Sequence, residues 1–332
     1  MKTYQNPFLI ERADPFIGKG SVCFMGKETD YYFFTSSYPA VKDVDHGYDR
    51  IILRRALTVE GLADAEEITI WEAHKDGDFC YHIWAPEIHK IGGVWYILFT
   101  AAPKNDRWHI RPCMLRCVDE SKIMEKEGWE ELGHVKPLEE DSFSFQEFSL
   151  DMTYLEHRGE HYVAWAQKGE SSSIYMAKIR PETPWKLNSL PILLTKPEYS
   201  WELVNEKVNE GPFFWKANGH VYVFFSASGT GSEYCVGCLY ARDDADLMNP
   251  SSWTKLKHPI FSTSHVPMEY GPGHNSVVED EEGTLLFVYH ARPVEHEKGT
   301  CGYHDCHPLY DPCRHTRIRR LTWNENSIPV IV

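Results

Sequence analysis

Five short runs of apolar and aromatic residues recur along the chain, "YYFFTSS" (31–37), "WYILFTAA" (95–102), "HYVAWAQ" (161–167), "VYVFFSAS" (221–228) and "LLFVYHAR" (285–292). Each is strand-length, rich in aromatic or β-branched residues, and closes on small or polar ones, which is the pattern of a buried β-strand. Anchored on Phe34, Phe99, Trp165, Phe225 and Tyr289, the runs are spaced 65, 66, 60 and 64 residues apart. Turn-forming stretches precede them ("KETD", "IGG", "HRGE", "KANG" and "DEEG"), so each run reads as the second arm of a hairpin. A further strand follows in each unit: 51–56, 113–117, 174–179, 237–242 and 316–321. Trp71, Trp129, Trp185, Trp253 and Trp323 then recur where an outer fourth strand would lie. Four antiparallel strands repeated five times predict an all-β fold, a five-bladed β-propeller spanning residues 1–332 as a single domain. Only 119–132 reads as room for a short helix.

The first strand of a propeller blade lines the central channel, so the residues ahead of each anchor identify the side chains that face the axis. Asp151 lies 14 before Trp165, Glu210 15 before Phe225, His274 15 before Tyr289 and Ala85 14 before Phe99. Asp14 lies 20 before Phe34, and the excess is assigned to a long hairpin loop over "GKGSVCFMGKETD". Three carboxyl groups are thereby expected at one end of one channel. Crowded acids in a desolvated site repel one another, which raises at least one pKa. A protonated carboxyl beside an ionised one is the pair that glycoside hydrolysis uses.

These residues carry a resemblance. "RADPF" (12–16), "WAPEIH" (84–89), "SLDMTYLE" (149–156), "NEGPFFWKANGHVYVFFSAS" (209–228), "GPGHNSVV" (271–278) and "YHAR" (289–292) occur in order over nearly the whole chain. Together they resemble glycoside hydrolase family 43. The resemblance implies an inverting hydrolase of arabinose- or xylose-containing fragments, with Asp14 as general base, Glu210 as general acid and Asp151 as modulator and orienter of Glu210. "YDRIILRRALTVEGL" (48–62) and the segment 310–330 are most similar to exo-acting α-L-arabinofuranosidases. β-Xylosidases and endo-arabinanases share the trio, so the sugar stays open, as does a non-catalytic sugar-binding propeller.

Trp84 is a candidate for stacking on a pentose ring or for blade packing. Arg292 is a candidate for sugar contact, as the resemblance implies, or for pairing with an acid, and Phe34 for the pocket wall or the core. His274 is the candidate contact of a structural Ca2+ in the channel, an ion the proposed chemistry does not require; no cofactor is expected for catalysis. "CGYHDCHPLYDPCRH" (301–315) is dense in Cys and His but lacks paired Cys-x-x-Cys spacing, so it is read as a loop overhanging the site rather than a zinc motif. Cys235 and Cys238 do form Cys-x-x-Cys, yet strand alternation sends them to opposite faces.

Composition narrows the partners. A formal net charge of −15 disfavours nucleic acid and anionic membranes and suits small neutral oligosaccharides. No long apolar run and no secretory leader stand in the sequence, and nine cysteines fit no compact disulfide framework. The expectation from these features is a cytoplasmic enzyme without an appended sugar-binding domain, fed by imported fragments; oligomeric state is not legible.

Overall fold

The computed structural model describes residues 3–39 and 47–332. Its strands form five four-stranded antiparallel sheets, each of consecutive strands. Blade one comprises β1 (Ala13–Phe24), β2 (Lys27–Ser37), β3 (Arg50–Ala56) and β4 (Ile68–Glu72). Blade two comprises β5 (Tyr81–Ile91), β6 (Val94–Ala102), β7 (Arg111–Cys117) and β8 (Trp129–His134). In blade three these are β9 (Ser149–His157), β10 (Glu160–Lys168), β11 (Ser172–Ile179) and β12 (Ile192–Thr195). Blade four holds β13 (Asn209–Ala217), β14 (His220–Ala227), β15 (Cys235–Arg242) and β16 (Thr254–Lys255). Blade five holds β17 (Glu269–Glu279), β18 (Leu285–Pro293), β19 (His315–Trp323) and β20 (Pro329–Ile331), with the single helical turn α1 (Val294–Glu297) after β18. The fold is the five-bladed propeller that the repeat predicts.

Two-residue turns explain why the inner hairpins are so regular. Met25-Gly26, Gly92-Gly93, Arg158-Gly159 and Asn218-Gly219 all have positive φ at both positions, the geometry whose twist matches paired strands. The β1–β2 hairpin therefore has no long loop: the two strands stay paired out to Phe24 and Lys27, so the extra residues before Phe34 are additional strand. "KETD" belongs to that strand, not to the turn.

The fourth strands depart further from expectation. Trp71 and Trp129 lie in β4 and β8, and Trp253 immediately precedes β16. Trp185, however, sits before β12, where its carbonyl accepts from Lys136 N–H, and Trp323 ends β19, a third strand. Outer strands are short and loosely paired, so an aromatic residue can cover a blade edge from either flank. The 119–132 segment forms two isolated 3-10 turns (120–122 and 126–128) before entering β8.

Hydrophobic clusters fill the gaps between adjacent blades. One joins Phe34, Ile17, Ile52, Val288 and Ile318 between blades one and five, another Trp165, Tyr96 and Met114 between blades two and three. The strands β1, β5, β9, β13 and β17 contact one another around the centre and form the channel wall. At the far end of this channel a cavity of about 300 Å³ opens between Phe16, His89, Tyr154 and Phe213.

Candidate active site

Every channel strand breaks its ladder at the same level. The pairing register shifts just after Ala13, Trp84, Leu150, Glu210 and Gly273. At each break one residue has left-handed backbone: Asp14 (φ 52), Ala85 (φ 45), Asp151 (φ 56), Gly211 (φ 55) and His274 (φ 45). Such bulges re-aim side chains, and left-handed Asp, Ala or His is held only where the surroundings over-determine it. Pro15, Pro86 and Pro212 follow three of them, consistent with proline's confinement to ladder defects. The equivalent position in blade four is Gly211, so Glu210 stands one residue earlier than its counterparts. Only glycine fits there easily, since a Cβ would also lie 3.2 Å from His274 Nδ1.

The three acids gather around His274. Its Nδ1 lies 3.5 Å from Asp14 Oδ1 and 3.9 Å from Asp151 Oδ2. Asp151 Oδ2 accepts from Gly211 N–H at 3.0 Å, which ties the blade-three acid to the backbone next to Glu210. Tyr234 donates its hydroxyl to Glu210 Oε1 at 2.7 Å. Tyr234 stacks on His290 with centroids 5.7 Å apart and planes 3° from parallel. The "GPG" of 271–273 lets the chain pass there, because a Cβ on Gly273 would meet the Tyr234 ring at 2.2 Å.

Asp14 is surrounded by donors. Ser37 Oγ donates to Asp14 Oδ2 at 2.5 Å and itself accepts from Ala85 N–H at 2.8 Å. Asp14 N–H donates to His290 Nδ1 at 3.0 Å, which places the His290 proton on Nε2. Arg314 Nη1 approaches Asp14 Oδ1 to 3.6 Å.

Electrostatics separates the acids. Burial alone would raise Asp14, but His274 and Arg314 overcome it and hold its carboxyl well below the usual range. Burial raises Glu210, and Asp14 adds repulsion that the Tyr234 bond and His274 only partly offset. Asp151 is likewise raised by burial, with Glu210 and Asp14 repelling its charge against the pull of His274. For His274 burial disfavours the charge, yet Asp14, Asp151 and Glu210 outweigh it and raise the pKa. The site thus pairs a carboxylate held ionised with two carboxyls whose hold on the proton is raised.

Phe34 and Trp84 take the packing alternative, and Arg292 pairs with an acid outside the trio. Phe34 is fully buried between blades one and five and belongs to the core. Arg292 is also buried; its Nε pairs with Asp311 at 2.5 Å and its Nη atoms with the carbonyls of Gly231 and Pro308, so the partners of its guanidinium are loop groups and not the three acids. Trp84 is covered by His82, Tyr48 and Tyr310, while the exposed indole at this corner is Trp108. The 301–315 segment does overhang the site. Leu309 O accepts from Arg314 Nη2 at 2.8 Å, and Tyr310 lies against His82 and Trp84. Cys235 and Cys238 are buried in different clusters, as alternation requires.

Arg314, Tyr234, Ser37 and His290 are neighbours of the acids that the sequence left unassigned. Ser37 ends one recurrent strand and His290 lies near the end of another, and both could have been found there. Tyr234 and Arg314 lie in irregular segments with no periodic signal.

The sequence model of the family described as glycosyl hydrolases family 43 matches residues 4–329. An extracellular exo-α-(1→5)-L-arabinofuranosidase of Streptomyces avermitilis is 39% identical over 98% of this chain and 63% of its own length. A second such enzyme, from Streptomyces chartreusis, is 42% identical over 87% of this chain and 82% of its own. The crystal structure of an α-L-arabinofuranosidase from Lactobacillus brevis superposes with a TM-score of 0.83 at 38% identity, covering 98% of this chain and 95% of that one. The chain therefore spans less than two thirds of the Streptomyces avermitilis enzyme. These relatives overturn the expected cytoplasmic address, and with it the supply of imported fragments, since both Streptomyces enzymes are extracellular. All nine cysteines are free, and Cys113, Cys117, Cys235, Cys238 and Cys313 are buried.

Proposed function

The chain belongs to glycosyl hydrolases family 43, and on that footing we propose that residues 1–332 form an inverting exo-α-L-arabinofuranosidase acting on arabinan- or arabinoxylan-type oligosaccharides. The observation that carries the reading is the clustering of Asp14, Asp151 and Glu210 about His274 with opposed proton affinities. Asp14, kept ionised, takes a proton from the attacking water. Glu210, kept protonated, gives its proton to the leaving oxygen as the glycosidic bond breaks. Asp151 fixes Gly211 N–H beside Glu210, while burial and the charge of Asp14 keep the acid protonated. Inversion calls for about 6.5–9.5 Å between the base and acid carboxyls, enough for one water.

Small neutral oligosaccharides suit the strongly negative net charge of the chain. The chemistry needs no cofactor. A structural Ca2+ at His274 does not fit the donor set: calcium takes six to eight oxygen ligands, and among the described residues the channel acids and His274 do not form a group close enough to share an ion. No step is routed through such an ion.

The test is hydrolysis of the p-nitrophenyl α-L-arabinofuranoside and β-D-xyloside, with NMR identifying the anomer first released. Turnover of the arabinofuranoside with inversion is expected. Preference for the xyloside would reassign the sugar, and no turnover of either substrate or of arabinan oligomers would leave a binding module. Glu210→Gln should lose most activity on natural linkages and less on the activated aryl glycoside, which needs little protonation; equal losses would remove Glu210 from the acid role.

A further inference from the structure

The connection between β18 and β19 brings together side chains that sequence spacing keeps apart. Cys301 Sγ lies 3.3 Å from His296 Nδ1, Cys313 Sγ lies 3.5 Å from Cys301 Sγ, and all three ligand atoms fall within 4.8 Å of one another. Tetrahedral zinc, with bonds of about 2.3 Å to sulfur and about 2.0–2.1 Å to nitrogen, separates its ligands by about 3.8 Å (S···S) and about 3.5 Å (S···N). The trio stands within a few tenths of an ångström of that arrangement along both short edges.

A second observation concerns the imidazole. Its far nitrogen, Nε2, faces Asp311 Oδ2 at 3.5 Å, and Asp311 is fully buried. Asp311 is held in turn by Arg292 Nε at 2.5 Å and by Cys313 N–H at 2.7 Å. A carboxylate behind a histidine is the usual device for fixing the tautomer that offers the opposite nitrogen to a metal. Here it leaves Nδ1 on the side of Cys301 Sγ, 3.3 Å away.

We propose that His296, Cys301 and Cys313 bind one Zn2+, with water in the fourth position. Both thiols lose their protons to solvent as the two Zn–S bonds form, His296 contributes a neutral nitrogen lone pair, and no electrons are transferred. The ion ties α1 to both ends of the overhanging segment. Arg314, which follows Cys313 directly, reaches Asp14, so the clip would hold the segment that presents this arginine to the site. This inference is independent of which sugar is cleaved.

The experiment uses the whole chain, produced with zinc in the medium and dialysed against metal-free buffer. Elemental analysis should find one zinc per chain, and exchange with Co2+ should give a thiolate-to-cobalt charge-transfer band. C301S and C313S should abolish the band, and H296Q should weaken binding at least tenfold, whereas C23S, which alters an exposed thiol, should change nothing. Release of zinc from wild-type protein by thiol titration, followed with a chromogenic chelator, keeps the proposal testable if a variant fails to fold. Substoichiometric zinc with no cobalt band would overturn it, as would a mass two hydrogens low from a Cys301–Cys313 disulfide that forms whether or not metal is supplied.

Discussion

Replacing Tyr234 by phenylalanine isolates the bond that restrains Glu210. The hydroxyl donates to Glu210 Oε1 at 2.7 Å, and the ring stacks parallel to His290, so the substitution deletes that bond, along with the hydroxyl's hydrogen bond with Ser226, while keeping the ring packing. That bond favours the ionised carboxylate and pulls the Glu210 pKa down against burial. Hydrogen bonds to charged groups contribute about 1.5–3 kcal/mol, and one pKa unit corresponds to about 1.36 kcal/mol. Removing it should therefore raise the Glu210 pKa by about 1–2 units. As the acid must be protonated to act, the alkaline limb of kcat/KM should move up by that amount. The plateau should fall, because the acid is weaker and less firmly aimed. The assay is the pH profile of kcat/KM for arabino-oligosaccharide hydrolysis by wild type and Y234F, with circular dichroism to show equal folding. An alkaline limb that stays in place, or moves down, would refute the assignment of Glu210 as the titrating acid and of Tyr234 as its restraint.

Arg314→Gln should raise the Asp14 pKa by about 1–3 units by removing a cation 3.6 Å away, moving the acid limb of the same profile upward; an unchanged acid limb would contradict it. Gly211→Ala forces a side chain into left-handed backbone, at a cost of about 1–2 kcal/mol, and against His274 at 3.2 Å. Thermal denaturation should show that loss, together with a fall in kcat as His274 shifts. Burial depresses the pKa of His290 to about 3 and of His82 and His315 to about 4. The unfolded chain binds protons at these residues below about 6.5 while the fold does not, so their contribution is present above that pH and is lost as pH falls towards 4. Each steepens the decline by up to about 1.4 kcal/mol per pH unit; urea unfolding between pH 7 and 5 should show it, and H82Q should flatten the slope.

How much of this was legible varies with the distance over which the information acts. Inner strands follow from local alternation and from turns such as Asn218-Gly219, and their order within each blade follows from hairpin connectivity. The outer strands have little burial to enforce a pattern, and there Trp185 and Trp323 misled. Counting residues back from the anchors found Asp14, Asp151 and His274 but shifted the blade-four equivalence by one: Gly211, 14 before Phe225, carries the left-handed backbone of its counterparts, and Glu210 precedes it. The prolines after Asp14, Ala85 and Gly211 were the available sign of those bulges.

The neighbours of the acids belong to a different class. Arg292 and Arg314 have the same chemistry in sequence, yet the first spends its donors on Asp311 and loop carbonyls while the second stands beside Asp14. His296 likewise gains its two sulfur neighbours through the course of an irregular loop. Periodicity and turn chemistry act between residues close in the chain, so the amino-acid sequence by itself determined the repeated hairpins, their number and the placing of acids on channel strands. Which polar groups meet across blades, and hence which carboxyl is ionised, was decided only when the ring closed and packed, because desolvation and Coulomb coupling depend on separations in space.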